Sequence, residues 1–266
     1  MNNSLDWSTI STGTRIIEGD IKEQCNSFLH LVEHHTTSSG LFPTQLIRTW
    51  FYIGGICSNN GETYQAVNKS RKDFFDRYLT GPTDIFPAST GIGQVGKLLS
   101  ASALFLKASD NYSTIQIENN NQTSAYNYNS TYSLYPPLFS RAMAITDDKD
   151  FIFFISGTAS IVSSDSVHLG CASKQTYQTL ENINNLLQEH LISKDTHNKE
   201  PLLHSLVSCT VYIKNTEDFQ VIKDICVSQL SKHTIINYKL ADVCRDELLV
   251  EIEAIAFKRR DGYDHL

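Results

Sequence analysis

The order of elements in the second half of the chain, and its echo in the first half, limits the fold more than any other feature. From Asp150, "DFIFFISGTASI" reads as a strand ending in a glycine-containing turn. "SKQTYQTLENINNLLQEHL" spaces Tyr177, Leu180, Ile183, Leu186 and Leu187 as one apolar helix face, the pattern of a helix lying on a sheet. "LVSCTVYI" is the next strand. "TEDFQVIKDICVSQLSK" is a second helix, with Thr216 as its N-cap and Phe219, Ile222, Ile225, Cys226 and Leu230 inward. "LLVEIEAIAF" closes as a strand. The order is β-α-β-α-β, preceded by strands from the middle of the chain.

The first half repeats it. "IKEQCNSFLHLVEHH" is a helix, and "LIRTWFYI" (Leu46 to Ile53) echoes "LVSCTVYI". "TYQAVNKSRKDFFDRYL" is again a helix, with Tyr64, Val67, Phe74, Phe75 and Tyr78 inward. Gly96 to Ala108 lies over Asp246 to Lys258 without a gap, which sets Ala101 and Ala103 opposite Glu251 and Glu253. A duplicated unit is the simplest organisation, divided here as 1–125 and 126–266.

The last strand poses a chemical question. Its alternation puts Val250, Ile252, Ala254 and Ala256 on one face and two carboxylates, Glu251 and Glu253, on the other. An exposed edge would explain such a pair, and so would an acid held for proton transfer. Only the second copy carries it, so keeping an edge soluble is the weaker explanation.

Composition removes several classes. The net charge of −7 argues against general nucleic-acid binding. "FIFFISGTASIV" is too short to span a membrane, and "MNNSLDWSTISTGTR" lacks a basic-then-apolar leader, so a cytoplasmic protein is expected. The six cysteines (25, 57, 171, 209, 226 and 244) include no C-x-x-C pair and fit reduced thiols. His30 and His34 have the i, i+4 spacing of metal ligands, but no third ligand follows at a suitable distance. Between the copies, Tyr126, Tyr128, Tyr132 and Tyr135 precede a lone Arg141. Aromatic hydroxyls beside an arginine suit a small carboxylate ligand; a tyrosine-rich strand packed across the junction would look the same.

The second half resembles the YjgF/RidA fold, through "SGTASI", "QTYQTLENINNLL", "CTVYI", the helix after "TEDF" and "VEIEAIA". The chain from about Leu46 to Phe257 more specifically resembles the chorismatase family, which builds its fold from two such units. "IRTWFYI", "NKSRKDFF", "FPASTGIG", "SAYNY", "FSRA", "SGTASIV", "QTYQTLENI" and "CRDELLVEIEA" carry that likeness, in order. It implies an α+β fold of two YjgF/RidA-like (chorismate-mutase-like) units, each a mixed sheet covered on one face by two helices. It also implies hydrolysis of chorismate to pyruvate and a hydroxybenzoate or a dihydroxycyclohexadiene carboxylate.

By the same resemblance Glu251 is the catalytic acid that protonates the enol ether, a role needing a raised pKa. Arg141, Tyr132 and Arg71 become substrate contacts, with Arg245 either on the ligand or paired to Asp242 or Asp246. Gly157 and Cys244 match positions that line the pocket and help select the product, Cys244 as a catalytic residue whose thiol can hydrogen-bond weakly or accept transient chemistry, and the pair favours 3-hydroxybenzoate. No metal or organic cofactor is implied, and the partner is chorismate, with either a trimer or a monomer of pseudo-symmetric units.

Departures from the family pattern are a shorter N-terminal region, with opening strands of the first unit shortened or missing, Lys72 in place of a tyrosine, and Cys171 in place of an acid after the H-x-G of His168 and Gly170. The competing expectations are enamine or imine deamination, as in the wider YjgF/RidA family, and a degenerate small-ligand-binding or regulatory protein.

Overall fold

Asp20 opens the first helix with a capping box. Its side chain accepts from the Glu23 amide, and Glu23 returns the bond to the Asp20 amide, both at 2.9 Å. Gly40, left-handed at φ 65°, closes the same helix. In the computed structural model, which describes residues 5–11, 19–41, 45–79, 85–107, 109–128, 134–147, 149–191 and 201–259, the elements follow in order. They are β1 (Trp7–Ser11), α1 (Ile21–Ser39), β2 (Leu46–Gly54), α2 (Glu62–Tyr78), β3 (Ala88–Gln94) and β4 (Leu99–Leu106). Then come β5 (Ser113–Ile117), β6 (Ala142–Thr146), β7 (Asp150–Ala159), β8 (Ile161–Val162), β9 (Asp165–Ser166) and α3 (Ala172–Leu191). β10 (Leu206–Ile213), α4 (Phe219–Gln229), β11 (Ile235–Leu240) and β12 (Val250–Arg259) complete the chain.

The first sheet runs β1-β4-β2-β3 and the second β5-β6-β7-β12-β10-β11. Read from β7, the second sheet repeats the first strand for strand. β3 lies parallel to β2 as β11 does to β10, and the remaining neighbours are antiparallel. α1 and α2 cover one sheet, α3 and α4 the other. The α+β fold of two helix-covered mixed sheets is therefore present. The strands change sheet between Leu106 and Ser113, so β5, which a division at 125/126 assigns to the first unit, bonds within the second sheet. The opening strand of the first unit is short but there: β1 lines the edge of its sheet against β4.

Register corrects the alignment of the two copies. β2 and β4 slip at Leu46/Arg48, and β10 and β12 slip at the corresponding Leu206/Ser208. Beyond the slip, Trp50 faces Ser102 and Tyr52 faces Ser100, as Thr210 faces Glu253 and Tyr212 faces Glu251. The counterparts of the two glutamates are thus Ser100 and Ser102. Ala101 and Ala103 are buried core positions matching Ile252 and Ala254. A shift of one residue reverses the face of every side chain in a strand, and the ungapped overlay made that error.

Three helix details also differ from expectation. Residues Thr216–Asp218 form a 3-10 turn, and α4 begins at Phe219 without a side-chain cap, so Thr216 is not its N-cap. Tyr177 and Phe219, expected inward, are 51% and 39% exposed. No described helix is long and apolar enough to cross a membrane.

The sheets meet through their uncovered faces. Ile47, Ala88 and Leu106 of the first pack against Met143, Ile145 and Phe154 of the second. β3 also bonds across: the Ser89 amide donates to Ser156 Oγ at 2.8 Å, and the Gly93 amide to the Asp242 carbonyl at 2.7 Å.

Candidate active site

β12 runs between β7 and β10, so it is no edge, and solvent exposure does not explain its carboxylates. Val250, Ile252, Ala254 and Ala256 enter the core beneath α3 and α4. Glu251 and Glu253 point the other way, toward the first unit. Their surroundings differ sharply.

Glu253 is fully engaged. Its Oε2 accepts from Arg48 Nη2 at 2.8 Å, Thr90 Oγ1 at 2.5 Å and Trp50 Nε1 at 3.1 Å, and Oε1 accepts from the Tyr212 hydroxyl at 2.9 Å. Three of these donors come from the first unit. A desolvated charge is tolerated when it is paired and its lone pairs are filled, and both conditions hold here.

Glu251 is 4% exposed, and no described side chain hydrogen-bonds its carboxyl. The carboxyl lies over Gly157, where a Cβ would collide with its Oε1. The room that glycine leaves is occupied by the acid itself. Burial, and then the negative charge of Glu253, push Glu251 up to about 8, against the opposing pull of Arg48 and Arg141. Near neutral pH it is a carboxylic acid carrying its proton.

That carboxyl opens into a cavity of about 730 Å³ between the units, lined also by Arg71, Arg141, Gly157, Cys244 and Arg245. Arg71 is not an exposed helix position but is 2% exposed. It donates to the Leu138 carbonyl at 2.8 Å and stacks over Phe51. Arg141, 3% exposed, donates to the Thr123 carbonyl and the Tyr128 hydroxyl, both at 2.8 Å. The Nε atoms of both arginines are buried and lack an acceptor. Arg245 pairs with neither Asp242 nor Asp246. It donates to the Ser164 carbonyl and Ser166 Oγ and lies over the Tyr128 ring; Asp246 pairs instead with Lys214 at 2.6 Å. Burial, then Glu251, push the Cys244 thiol up to about 12, so it is neutral and not a thiolate.

Tyr132 lies outside the described residues. Of the other tyrosines in that stretch, Tyr128 faces the cavity, whereas Tyr126 packs with Phe86. Lys72 is on the outer face of α2, bound to Asp76 at 2.7 Å, and takes no part in the site. Cys171 precedes α3, its sulfur 3.4 Å from Ser173 Oγ. His30 and His34 are exposed on α1, and among the described residues no cluster of three metal-ligating groups occurs.

Tyr64 was not singled out for the site, yet it lines the cavity beside Arg71. Its ring lies over Gly91, where a Cβ would come within 3.2 Å. A tyrosine on an apolar helix stripe looks like core, and only the missing side chain at Gly91 hints otherwise.

Residues 138–258 match the family model described as endoribonuclease L-PSP. A 3-hydroxybenzoate synthase of Streptomyces hygroscopicus is 32% identical over 219 residues, covering 80% of this chain and 63% of that protein. A chorismatase of Streptomyces rapamycinicus is 30% identical over 215 residues, covering 79% and 63%. The chain thus spans just under two thirds of these curated relatives. The crystal structure of a chorismatase superposes with a TM-score of 0.80 at 27% identity, covering 96% of this chain and 78% of that one.

Proposed function

We propose that the chain is a member of the chorismatase family it resembles and that it cleaves chorismate, releasing pyruvate and a hydroxybenzoate, with Glu251 as the acid. The observation that carries this is the Glu251 carboxyl, buried against a cavity that also holds two buried arginines, burial pushing its pKa up to about 8.

Chorismate is a dianion with an enol ether, and its methylene carbon is the site of protonation. In the proposed step the Glu251 proton goes to that methylene, and the adjacent carbon, now cationic, takes the hydroxyl of a water, whose other proton returns to the Glu251 carboxylate. Collapse to the ketone of pyruvate breaks that carbon's bond to the ring oxygen, which keeps a proton. The ring half is then a dihydroxycyclohexadiene carboxylate, and loss of one water makes it a hydroxybenzoate. The water consumed in the first stage is returned in the second, so pyruvate and hydroxybenzoate together hold the atoms of chorismate.

Arg141 and Arg71 are the cations offered to the two substrate carboxylates, since a guanidinium holds a carboxylate in fixed orientation through paired donors. Arg141 acts electrostatically on Glu251 and is assigned the carboxylate beside the methylene. Arg71, next to Tyr64, is assigned the ring carboxylate. Gly157 and Cys244 support 3-hydroxybenzoate as the product, in keeping with the name of the relative at 32% identity; 4-hydroxybenzoate and the diene acid are the alternatives.

The test is incubation with chorismate, a pyruvate assay, and chromatographic separation of the aromatic products. Pyruvate with 3-hydroxybenzoate is the expected result. Pyruvate with another acid would overturn the product assignment alone, and no pyruvate above the spontaneous background would overturn the function.

A further inference from the structure

We infer that Arg48, Thr90 and Glu253 form a positioning cluster through which the first unit fixes the carboxyl of Glu251. None of the three lines the cavity. They reach the acid by two routes that converge on Thr90.

One route is the backbone of β7. Between Thr158, which faces Ile252, and Ile155, which faces Ala254, β7 holds one residue more than β12. Ser156 and Gly157 therefore oppose the single residue Glu253, as in a bulge, where a strand loses part of its ladder. The Gly157 amide is taken up by Thr90 Oγ1 at 3.1 Å. The same oxygen accepts from Arg48 Nη2 and donates to Glu253 Oε2, each at 2.5 Å. Its one hydrogen and both lone pairs are in use, which fixes the rotor. The Thr90 methyl stands 3.3 Å from where a Gly157 Cβ would be, so it walls the spot on which the Glu251 carboxyl rests.

The other route is charge. Glu253 stands two residues from Glu251 on the same face and is held by four donors, so its charge cannot swing away. Among the described residues, five charged or titratable groups bear on Glu251: Glu253 on its own strand, Arg48 on β2, Arg141 ahead of β6, Tyr64 on α2 and Cys244 in the loop before β12; Tyr212, across on β10, bonds Glu253 instead. Of these, Glu253 is the one whose removal lowers the affinity of Glu251 for its proton while leaving the cavity wall intact.

The inference rests on Glu251 being the acid, and the experiment separates the two claims. In folded E253Q the alkaline limb of kcat is expected to fall by about one pH unit or more with KM little changed. T90V is expected to lose about tenfold in kcat at similar KM, and T90S to recover most of it. A purely structural role would lower the thermal midpoint and leave the pH limb in place. Carbon-13 NMR of glutamate-labelled protein, with the signal assigned through E251Q, reads the Glu251 titration directly. A lower midpoint in E253Q upholds the cluster even if the parent releases no pyruvate, an outcome that would overturn only the function. An unchanged midpoint in folded E253Q overturns the cluster whatever the turnover. Should E253Q fail to fold, T90V with parental kcat and an unmoved Glu251 midpoint would overturn it.

Discussion

β4 and β12 hold the same place in their sheets, between the same neighbours and beside the same slip in register, and they differ where it matters chemically. On the face turned toward the other unit β4 carries Ser100 and Ser102, and β12 carries Glu251 and Glu253. The difference teaches that the frame of the repeat, including its irregularity, is a property of the backbone and the core. The proposed chemistry rests on two side chains laid on one copy of that frame.

Glu251→Gln should break the comparison most completely, making β12 as inert as β4. Turnover is expected to fall by about 10²–10⁴-fold while the fold and ligand binding persist, checked by stopped-time pyruvate assay beside circular dichroism. Arg141→Met should lower kcat/KM by roughly 10- to 100-fold, the scale of losing charged hydrogen bonds of about 1.5–3 kcal/mol. Steady-state kinetics on chorismate measure it, and Arg71→Met tests the opposite wall of the cavity in the same way.

The pH dependence follows from the direction of the Glu251 shift. An acid raised to about 8 in the folded chain is protonated at neutral pH, so turnover should decline as pH climbs above that value. Stability has its own sign. The folded chain binds this proton more tightly than the unfolded chain, so the contribution of Glu251 is present below the unfolded carboxylate pKa and is lost as pH rises from about 4.5 to about 8. Thermal melts of Glu251→Gln should lack that decline, a readout independent of catalysis.

Gly157→Ala sharpens the comparison by moving the acid without removing it. The main clash is with the far end of the Glu251 side chain, and the Thr90 methyl at 3.3 Å needs to give by only a few tenths of an ångström, so the carboxyl yields and the fold stays. Turnover or product ratio should change while the thermal midpoint stays within about 2 °C. The smallest effect is expected for Lys72→Ala, since an exposed i, i+4 pair contributes only about 0.3–0.5 kcal/mol. Kinetics should match the parent within error.

The alternation of Val250, Ile252, Ala254 and Ala256 was enough to place both glutamates on one face and to separate them from the core. Their opposite fates were not legible, because Glu253 is settled by Arg48 and Trp50, more than two hundred residues away. One sign of it was present: an arginine inside the apolar strand "LIRTWFYI" calls for a buried counter-charge. β3 and β11 escaped notice for different reasons. β3, "ASTGIGQ", is rich in small residues, and β11 alternates between exposed and half-exposed positions along an edge, so neither shows an apolar face. The register of the copies failed because the overlay was set one residue out: both copies carry the same slip, so β4 and β12 correspond without a gap once Ser100 is laid on Glu251.

The Arg48–Glu253 ion pair has a direction. Carrying the strand correspondence across, Arg48 falls on Ser208 and Glu253 on Ser102, so the reciprocal contact, if the units exchanged places, would be serine facing serine. An assembly of identical subunits has no way to write such a thing, since every substitution there appears at every interface. A tandem chain does, and the pair acts as a lock and key that tells the leading copy from the trailing one.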